Sequence, residues 1–207
     1  MPIFYKAVRS DGFDFYSRTV DYASLCGTDE QLPVKDGSNP YCCSDGVYHA
    51  SVSKTDTLVG SSWPCRLFEV QGAPVSEEGN KRGFLTLKVI RELPAWEALG
   101  PNGEEIVTLI EKAKTVTVEQ ADALHAAWDA AWDAAWNAAR NAARNAAGNA
   151  AWDAVWDAAR NAAGDAARNA AGDAAGDAAI ALLVKDLISA EHFNALYGLW
   201  GSVMDNQ

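Results

Sequence analysis

The residues best suited to acid–base chemistry lie around one histidine in the first half of the chain. His49 stands beside Tyr48 and close to Ser51 in the segment VYHAS, and Glu69 follows as a distant carboxylate. A histidine and a carboxylate that share a cleft are typical partners in proton transfer, so these four are the candidate pocket residues. The alternative is a packed, hydrogen-bonded histidine at a strand end, because the chain has neither a glycine-rich phosphate loop nor a nucleophile elbow. We therefore assign no catalytic residue.

The cysteines are numerous enough for a zinc site. Cys26, Cys42, Cys43 and Cys65 stand in the same half of the chain as His49. Their spacing lacks the paired Cys-x-x-Cys knuckles that structural zinc usually uses, so we predict free thiols, no metal and no cofactor. The N-terminus has no basic stretch followed by an apolar core, so we expect no secretory signal and a cytoplasmic protein with reduced thiols.

The charge of the whole chain argues against two classes of partner. Asp and Glu number 28 against 17 Lys and Arg, a net charge of −11 at pH 7. Nucleic-acid binding requires a basic face, and anionic membrane surfaces attract basic segments, so we expect no nucleic acid and no membrane as partner. No run of about 18 apolar residues occurs, which argues against a membrane-spanning helix.

A four-residue repeat fills much of the second half. It runs through 13 units from Ala126 to Asp177, each with two small apolar residues, then Trp, Arg or Gly, then Asp or Asn. The alanine content favours a helix, and the lack of alternation excludes a strand. Four residues advance a helix by about 400°, so each unit is displaced by about 40° from the one before.

The tryptophans of this array form two groups. The first contains Trp128, Trp132 and Trp136, and the second contains Trp152 and Trp156. A continuous helix would hold the groups on roughly opposite sides, where one domain cannot bury both. Either the helix breaks at Gly148 and Asn149, or the second group contacts another chain. We predict a long alanine-rich helix or a helical hairpin, with all five tryptophans as interface candidates; a solvated spacer is the alternative.

Residues 1–95 are predicted to form a small β-rich domain. The segments PIFYKAV and FDFYSRTV flank the turn signal Asp11-Gly12 and suggest a hairpin. Two further strand segments, CRLFEVQG and GFLTLKVIREL, are joined by the loop APVSEEGNKR, and a short strand is expected at Val47–Ala50. Four charged residues alternate with apolar positions on these strands and predict cross-strand ion pairs: Arg66, Glu69, Arg91 and Glu92.

The pattern becomes helical after Pro94, so the predicted fold class is α+β. We expect a helical connector over 96–116, the alanine-rich array over 117–189, and a short C-terminal helix and tail over 190–207. Thr117 and Gln120 have the spacing of a capping box, and Ser189 is placed to cap the last helix. Apolar residues at helical spacing in that last segment predict packing on the body or on a second subunit.

Several motifs of the first half occur together: YKAV near the start, CCSDGVYHAS at Cys42–Ser51, CRLFEV at Cys65–Val70 and LKVIREL at Leu87–Leu93. With these motifs, residues 1–95 resemble a domain family of phage and prophage genomes that has no assigned function. Some members carry alanine-rich arrays downstream. The resemblance implies a phage or mobile-element origin and a β-rich fold, and it supplies no activity.

We therefore expect a phage-related interaction or assembly protein, located in the host cytoplasm, that uses the repeat helix for homo- or hetero-oligomerisation. Its partner is then itself or another protein. One alternative is a small N-terminal enzyme of the ADP-ribosyltransferase type, with His49 and Glu69 in its pocket and an oligomerising helix. Another is an acidic inhibitor of a host factor that imitates DNA. Seven Asp against four Arg in the array argue against this imitation, because the charge is too dilute for a duplex.

Overall fold

The computed structural model describes residues 2–42, 44–131, 134–147, 149–163 and 170–205. Within its helices, the side chains of 128–131, 134–136, 146–147, 149–151 and 170 lie outside the described part. The chain divides into two compact units, Met1–Ala98 and Leu99–Gln207. The first contains a sheet and the second contains helices, so the predicted α+β class is confirmed.

The first unit is built on an antiparallel sheet of six strands. The strands are β1 (Ile3–Arg9), β2 (Tyr48–Ser51), β3 (Cys65–Gln71), β4 (Pro74–Glu78), β5 (Lys81–Phe84) and β6 (Lys88–Leu93). Their order across the sheet is β4-β5-β2-β1-β3-β6. β1 pairs with β3 along its whole length, from Ile3–Gln71 to Arg9–Cys65, but its registered pairing with β2 is at Tyr5–Ser51.

One face of this sheet carries the core. Phe4 of β1 and Phe84 of β5 contact each other edge to face, with ring centroids 4.9 Å apart. The long segment between β1 and β2 adds Tyr22 and Leu32 to the same buried cluster. Backbone bonds hold part of that segment in place, since the Leu32 amide donates to the Leu87 carbonyl at 2.8 Å. A stretch dense in turn-forming residues therefore supplies core side chains.

The hairpin predicted from FDFYSRTV is wrong. This segment forms no strand, and its β-type pairing is limited to one isolated bridge between Phe13 and Asp21. The buried Asp14 carboxylate accepts the amides of Ser17 at 2.6 Å and Val20 at 3.0 Å. These local bonds compete with a strand ladder for the same amides and close the segment into a loop.

The loop predicted at APVSEEGNKR is also wrong, because it contains β4, a turn and the start of β5. Gly79 takes the positive φ of 54° that the turn requires. Two pairs of opposite charge face each other across the ribbon, Glu77–Arg82 and Glu78–Lys81. The polar residues that suggest a loop are thus the cross-strand pairs of an exposed edge hairpin. The following segment, GFLTLKVIREL, is divided between β5 and β6 rather than forming one strand.

The second unit is helical. Its helices are α1 (Gly103–Ala113), α2 (Val118–Ala131), α3 (Ala134–Ala147), α4 (Asn149–Ala162), α5 (Ala170–Leu183) and α6 (Ala190–Met204). The capping box is confirmed, since the Thr117 amide donates to Gln120 Oε1 at 2.8 Å and the Gln120 amide donates to Thr117 Oγ1 at 3.2 Å. The predicted cap of the last helix is confirmed too, because Ser189 accepts the His192 amide.

The described part of the array is not one long helix. It is shared among α2, α3, α4 and α5, and contacts between α3 and α4 join residues at equal distances on either side of position 148. Helices α3 and α4 therefore run antiparallel, and Gly148, where the break was predicted, lies outside the described residues. In the described residues, no helix is long and apolar enough to cross a membrane.

Helix α5 lies among several other helices of this unit. It contacts α1, α2, α4 and α6. The alanines of this helix whose side chains the structure describes are buried, among them Ala174, Ala175 and Ala178. Side chains this small let neighbouring backbones approach closely, which explains how an alanine-rich segment can form the centre of a packed unit.

Candidate functional site

A cavity of about 210 Å³ lies in the first unit, where β1 meets β2. Its wall includes Lys6 of β1, His49 and Ser51 of β2, and Lys81 of β5. Phe15 and Tyr16, from the loop that replaces the predicted strand, also line it. A smaller cleft of about 80 Å³ shares Lys6, His49 and Tyr16 with this cavity.

Lys6 and His49 form the polar centre of the cavity. Lys6 is only 7% exposed, and its Nζ lies 3.0 Å from His49 Nε2. An ammonium group can only donate, so His49 Nε2 accepts and carries no proton. The Lys6 charge, burial and the Lys81 charge lower the pKa of His49 to about 3, so the imidazole is neutral at pH 7. It is therefore not a proton donor at Nε2.

Asp14 organises the loop that covers the cavity. It accepts the Ser17 hydroxyl at 2.8 Å, in addition to backbone amides of the same loop. Burial alone would raise the pKa of Asp14, but the hydrogen bonds from Ser17 and Val20 and the charge of Lys6 hold it below its usual range. The loop thus places Phe15 and Tyr16, the residues next to Asp14, in the cavity wall.

The structure brings together three of the four predicted pocket residues. His49 and Ser51 line the main cavity, and Tyr48 lines the smaller cleft and donates its hydroxyl proton to the Pro33 carbonyl at 2.9 Å. Glu69 lines neither of the two. It lies on β3, and Tyr5 of β1 stands between it and Ser51 in the sheet register.

The role of Glu69 is an ion pair, as predicted for the charged residues of these strands. Its carboxylate accepts two hydrogen bonds from Arg91, at 2.6 and 2.8 Å, and these bonds hold the pKa of Glu69 below its usual range against the effect of burial. Arg66 and Glu92 form the second predicted pair, with Nη2 and Oε2 2.6 Å apart. The cross-strand ion pairs are therefore confirmed.

Lys6 and Lys81 line the cavity but were not predicted from the sequence as pocket residues. The available signal was the position of Lys6 in IFYKAV, where alternation places it on the same side of β1 as the buried Phe4 and Val8. A lysine at an inward position is rare unless it is paired. Lys81 had no comparable signal, because its segment was interpreted as a loop.

The cysteines show no arrangement for metal binding in the described residues. Cys26, Cys42 and Cys65 are free thiols, and no group of three or more His, Cys, Asp or Glu side chains is placed to hold an ion among the residues described. Burial raises the pKa of the Cys65 thiol to about 12, so this thiol stays protonated. Cys43 lies outside the described residues.

The second group of predicted interface residues packs within the chain. Trp152 is 3% exposed, and its ring stacks on that of Trp156 with centroids 6.0 Å apart. Two guanidinium groups of α3 cover these rings: Arg140 lies 4.5 Å from the Trp156 centroid, and Arg144 lies 5.3 Å from the Trp152 centroid. Both contacts have the geometry of cation–π interactions.

The same cluster continues onto α5. Asp177 is fully buried, and its Oδ1 lies 3.2 Å from Arg140 Nε. Gly176 faces the Trp156 ring so closely that a Cβ there would lie 2.9 Å from two ring carbons. A further ion pair joins Arg160 of α4 to Asp173 of α5 at 3.5 Å. The side chains of the first tryptophan group, Trp128, Trp132 and Trp136, lie outside the described part.

No protein-family model, no curated protein and no solved structure matches this chain. The resemblance of its first half to a phage domain family therefore stays a prediction.

Proposed function

We propose that this chain is an interaction or assembly protein, of phage or mobile-element origin, that self-associates through its alanine-rich helices. The observation that carries the proposal is the self-complementarity of the array. In each contact between α3, α4 and α5 described above, a third-position residue of one unit meets a third- or fourth-position residue of another. Arg140 on Trp156 is one such contact, and Arg160 with Asp173 is another.

Self-complementarity inside one chain also provides the contacts for assembly between chains. A second copy presents the same Trp, Arg, Gly and Asp positions on the same helices. Two copies can then form these contacts by exchanging helices, which is a common route from a folded monomer to a symmetric oligomer. No new interface chemistry is required.

The two alternative functions have less support. An enzyme that pairs His49 with Glu69 is disfavoured because Glu69 is bound by Arg91 and His49 Nε2 is bound by Lys6. An acidic mimic of DNA is disfavoured because Arg140 and Arg160 pair with carboxylates of the array, which reduces the density of negative charge.

Sedimentation velocity of the full chain at increasing concentration tests the proposal. We expect a mass above that of the monomer, increasing with concentration. A monomer at every concentration up to 100 µM would contradict the proposal.

A charge exchange distinguishes contacts between copies from contacts within one. Arg160→Asp and Asp173→Arg each place like charges opposite one another, so each variant alone should associate less than the unmodified chain. In an equimolar mixture, opposite charges meet only between different copies, so we expect association to recover. In the control, Asn161→Asp takes the place of one of the two variants in the equimolar mixture. Asn161 is exposed on α4, and changes of surface charge are usually within about 0.5 kcal/mol. A mixture of the two variants that stays at the masses of its components would contradict assembly through these helices.

A further inference from the structure

We propose that the cavity between β1 and β2 binds a small neutral aromatic amide, that is, a flat ring with an uncharged carboxamide group. The cavity lies where the ladder between the two strands is interrupted, since their registered pairing is at Tyr5–Ser51. Antiparallel register would place Ala7 opposite His49, but these two residues line the cavity instead of forming a registered pair. This inference is independent of self-association by the helical unit.

The charged groups at the cavity favour an uncharged ligand. Lys6 donates to His49 Nε2, and its charge also interacts with the carboxylate of Asp14 in the adjoining cleft. Lys81 stands opposite Glu78 in the sheet register. Neither lysine therefore offers an isolated positive charge to an anion. A cation is disfavoured as well, because the charges of Lys6 and Lys81 both oppose protonation of the His49 ring.

A buried hydroxyl group on β2 can bind such a ligand. Ser51 is only 4% exposed, and its hydroxyl makes no hydrogen bond to the residues that the structure describes. Its oxygen is nevertheless not fully enclosed by protein atoms, so the hydroxyl reaches the open space of the cavity. A buried hydroxyl without a partner lowers stability, and a ligand that provides the missing hydrogen bond binds more tightly for that reason.

His49 provides a second polar group. Because its Nε2 accepts from Lys6, the single proton of the neutral imidazole lies on Nδ1. Within the described part of the chain this Nδ1–H has no acceptor, so it can donate to a ligand. Strand alternation directs His49 and Ser51 to the same side of β2, about 6.6 Å apart along the strand. An amide matches both groups, since its carbonyl accepts from the imidazole and its nitrogen donates to the hydroxyl oxygen.

The remaining wall suits a flat apolar ring. Tyr5, Phe15 and Tyr16 contribute aromatic surface, on which a ligand ring can stack or pack edge to face. Ala7 and Ala50 add apolar surface with small side chains that leave space for the ring. The volume of about 210 Å³ is below the range of about 300–1,000 Å³ that is typical of sites for drug-sized ligands. The site therefore fits a molecule with one ring and one small polar group.

NMR titration of the full chain with three small molecules tests the proposal. We expect benzamide to bind with a dissociation constant of about 1 mM or lower and to shift the ring signals of His49. Benzoate has nearly the same shape with a negative charge, and we expect its affinity to be at least about tenfold lower. Cyclohexanecarboxamide keeps the amide but has no flat ring, so it should also bind more weakly. Equal affinity for benzamide and either comparison compound, or unchanged His49 signals at about 10 mM benzamide, would overturn the proposal.

Two pairs of variants test the contacts in the cavity. Ser51→Ala should reduce benzamide affinity by about tenfold, whereas Ser24→Ala, at an exposed serine outside the cavity wall, should leave it unchanged. Tyr16→Ala removes an aromatic ring at a residue 80% exposed, so it should weaken binding without disturbing the fold. Its matched control is Tyr41→Ala, at a tyrosine 75% exposed that lies outside the cavity wall. Equal benzamide affinity of either cavity variant and its control would overturn the proposal.

Discussion

Two helical glycines lead to opposite expectations for the same substitution. A Cβ at Gly176 of α5 would lie 2.9 Å from Cδ2 and Cε3 of Trp156, whereas a Cβ at Gly198 of α6 would meet no atom within 4 Å. Alanine is favoured over glycine inside a helix by about 0.8–1.0 kcal/mol. Gly198→Ala should therefore raise the free energy of unfolding by about 1 kcal/mol.

At Gly176 the steric cost opposes this gain. The Trp156 ring is stacked on Trp152 and covered by Arg140, so it has little freedom to move away. Extra atoms in a packed core cost about 1–3 kcal/mol. After the helical gain is subtracted, Gly176→Ala should change the free energy of unfolding by between about zero and −2 kcal/mol. The two variants should then differ by about 1–3 kcal/mol.

Urea unfolding of the full chain, followed by the helical circular dichroism signal, measures both variants under the same conditions. A third variant identifies the cause: with Trp156→Leu in the background, the smaller side chain should accept the new Cβ, and Gly176→Ala should become neutral or stabilising. Equal stabilisation by Gly176→Ala and Gly198→Ala would refute the packing of α4 on α5, and with it the placement of Trp156 inside the chain.

Two further predictions concern charged groups. Arg140→Gln should lower the free energy of unfolding by about 3 kcal/mol because its partner Asp177 is fully buried. Arg160→Gln should lower it by less than about 1 kcal/mol because the pair with Asp173 is partly exposed. Equal losses of the two variants in urea unfolding would contradict this. The folded-state pKa of His49 is about 3 against an ordinary 6.5, so only the unfolded chain takes up a proton as pH falls below 6.5. Above pH 6.5 the titration of His49 therefore does not lower the free energy of unfolding. By pH 5 that free energy should have fallen by about 2 kcal/mol. Hydrogen exchange of the β1 amides should show this loss in the unmodified chain but not in His49→Gln, where the amide oxygen still accepts from Lys6.

Local signals predicted the elements that depend on local contacts. The caps at Thr117 and Ser189 are bonds between residues three apart, and the structure contains both. The apolar run of β3 and the charged pair Glu69–Arg91 also follow from alternation on adjacent strands. In each case the interaction partner is close in sequence or identifiable by its charge.

The elements that were wrong depend on competition between local and distant contacts. Alternation in FDFYSRTV favours a strand, but the Asp14 carboxylate removes the amides that a ladder requires. The cavity depends on strands far apart in sequence, because Lys6 and His49 meet only after β2 lies beside β1. A pattern confined to one segment contains no information about such a meeting, so sequence reasoning found His49 without Lys6.

The four-residue period of the array fits the helical unit for a geometric reason. A displacement of about 40° per unit is too large for a coiled coil, because the stripe of equivalent residues leaves the partner helix within a few turns. The array helices contain 14 residues each, so the stripe turns through only about 140° before the helix ends. A short helix with several neighbours can use a stripe that turns. Helix α5 contacts α1, α2, α4 and α6. On this helix, Gly176 faces Trp156 of α4, and the next residue, Asp177, pairs with Arg140 of α3. The repeat therefore suits a bundle of short helices, in which each unit meets a different side of the packing.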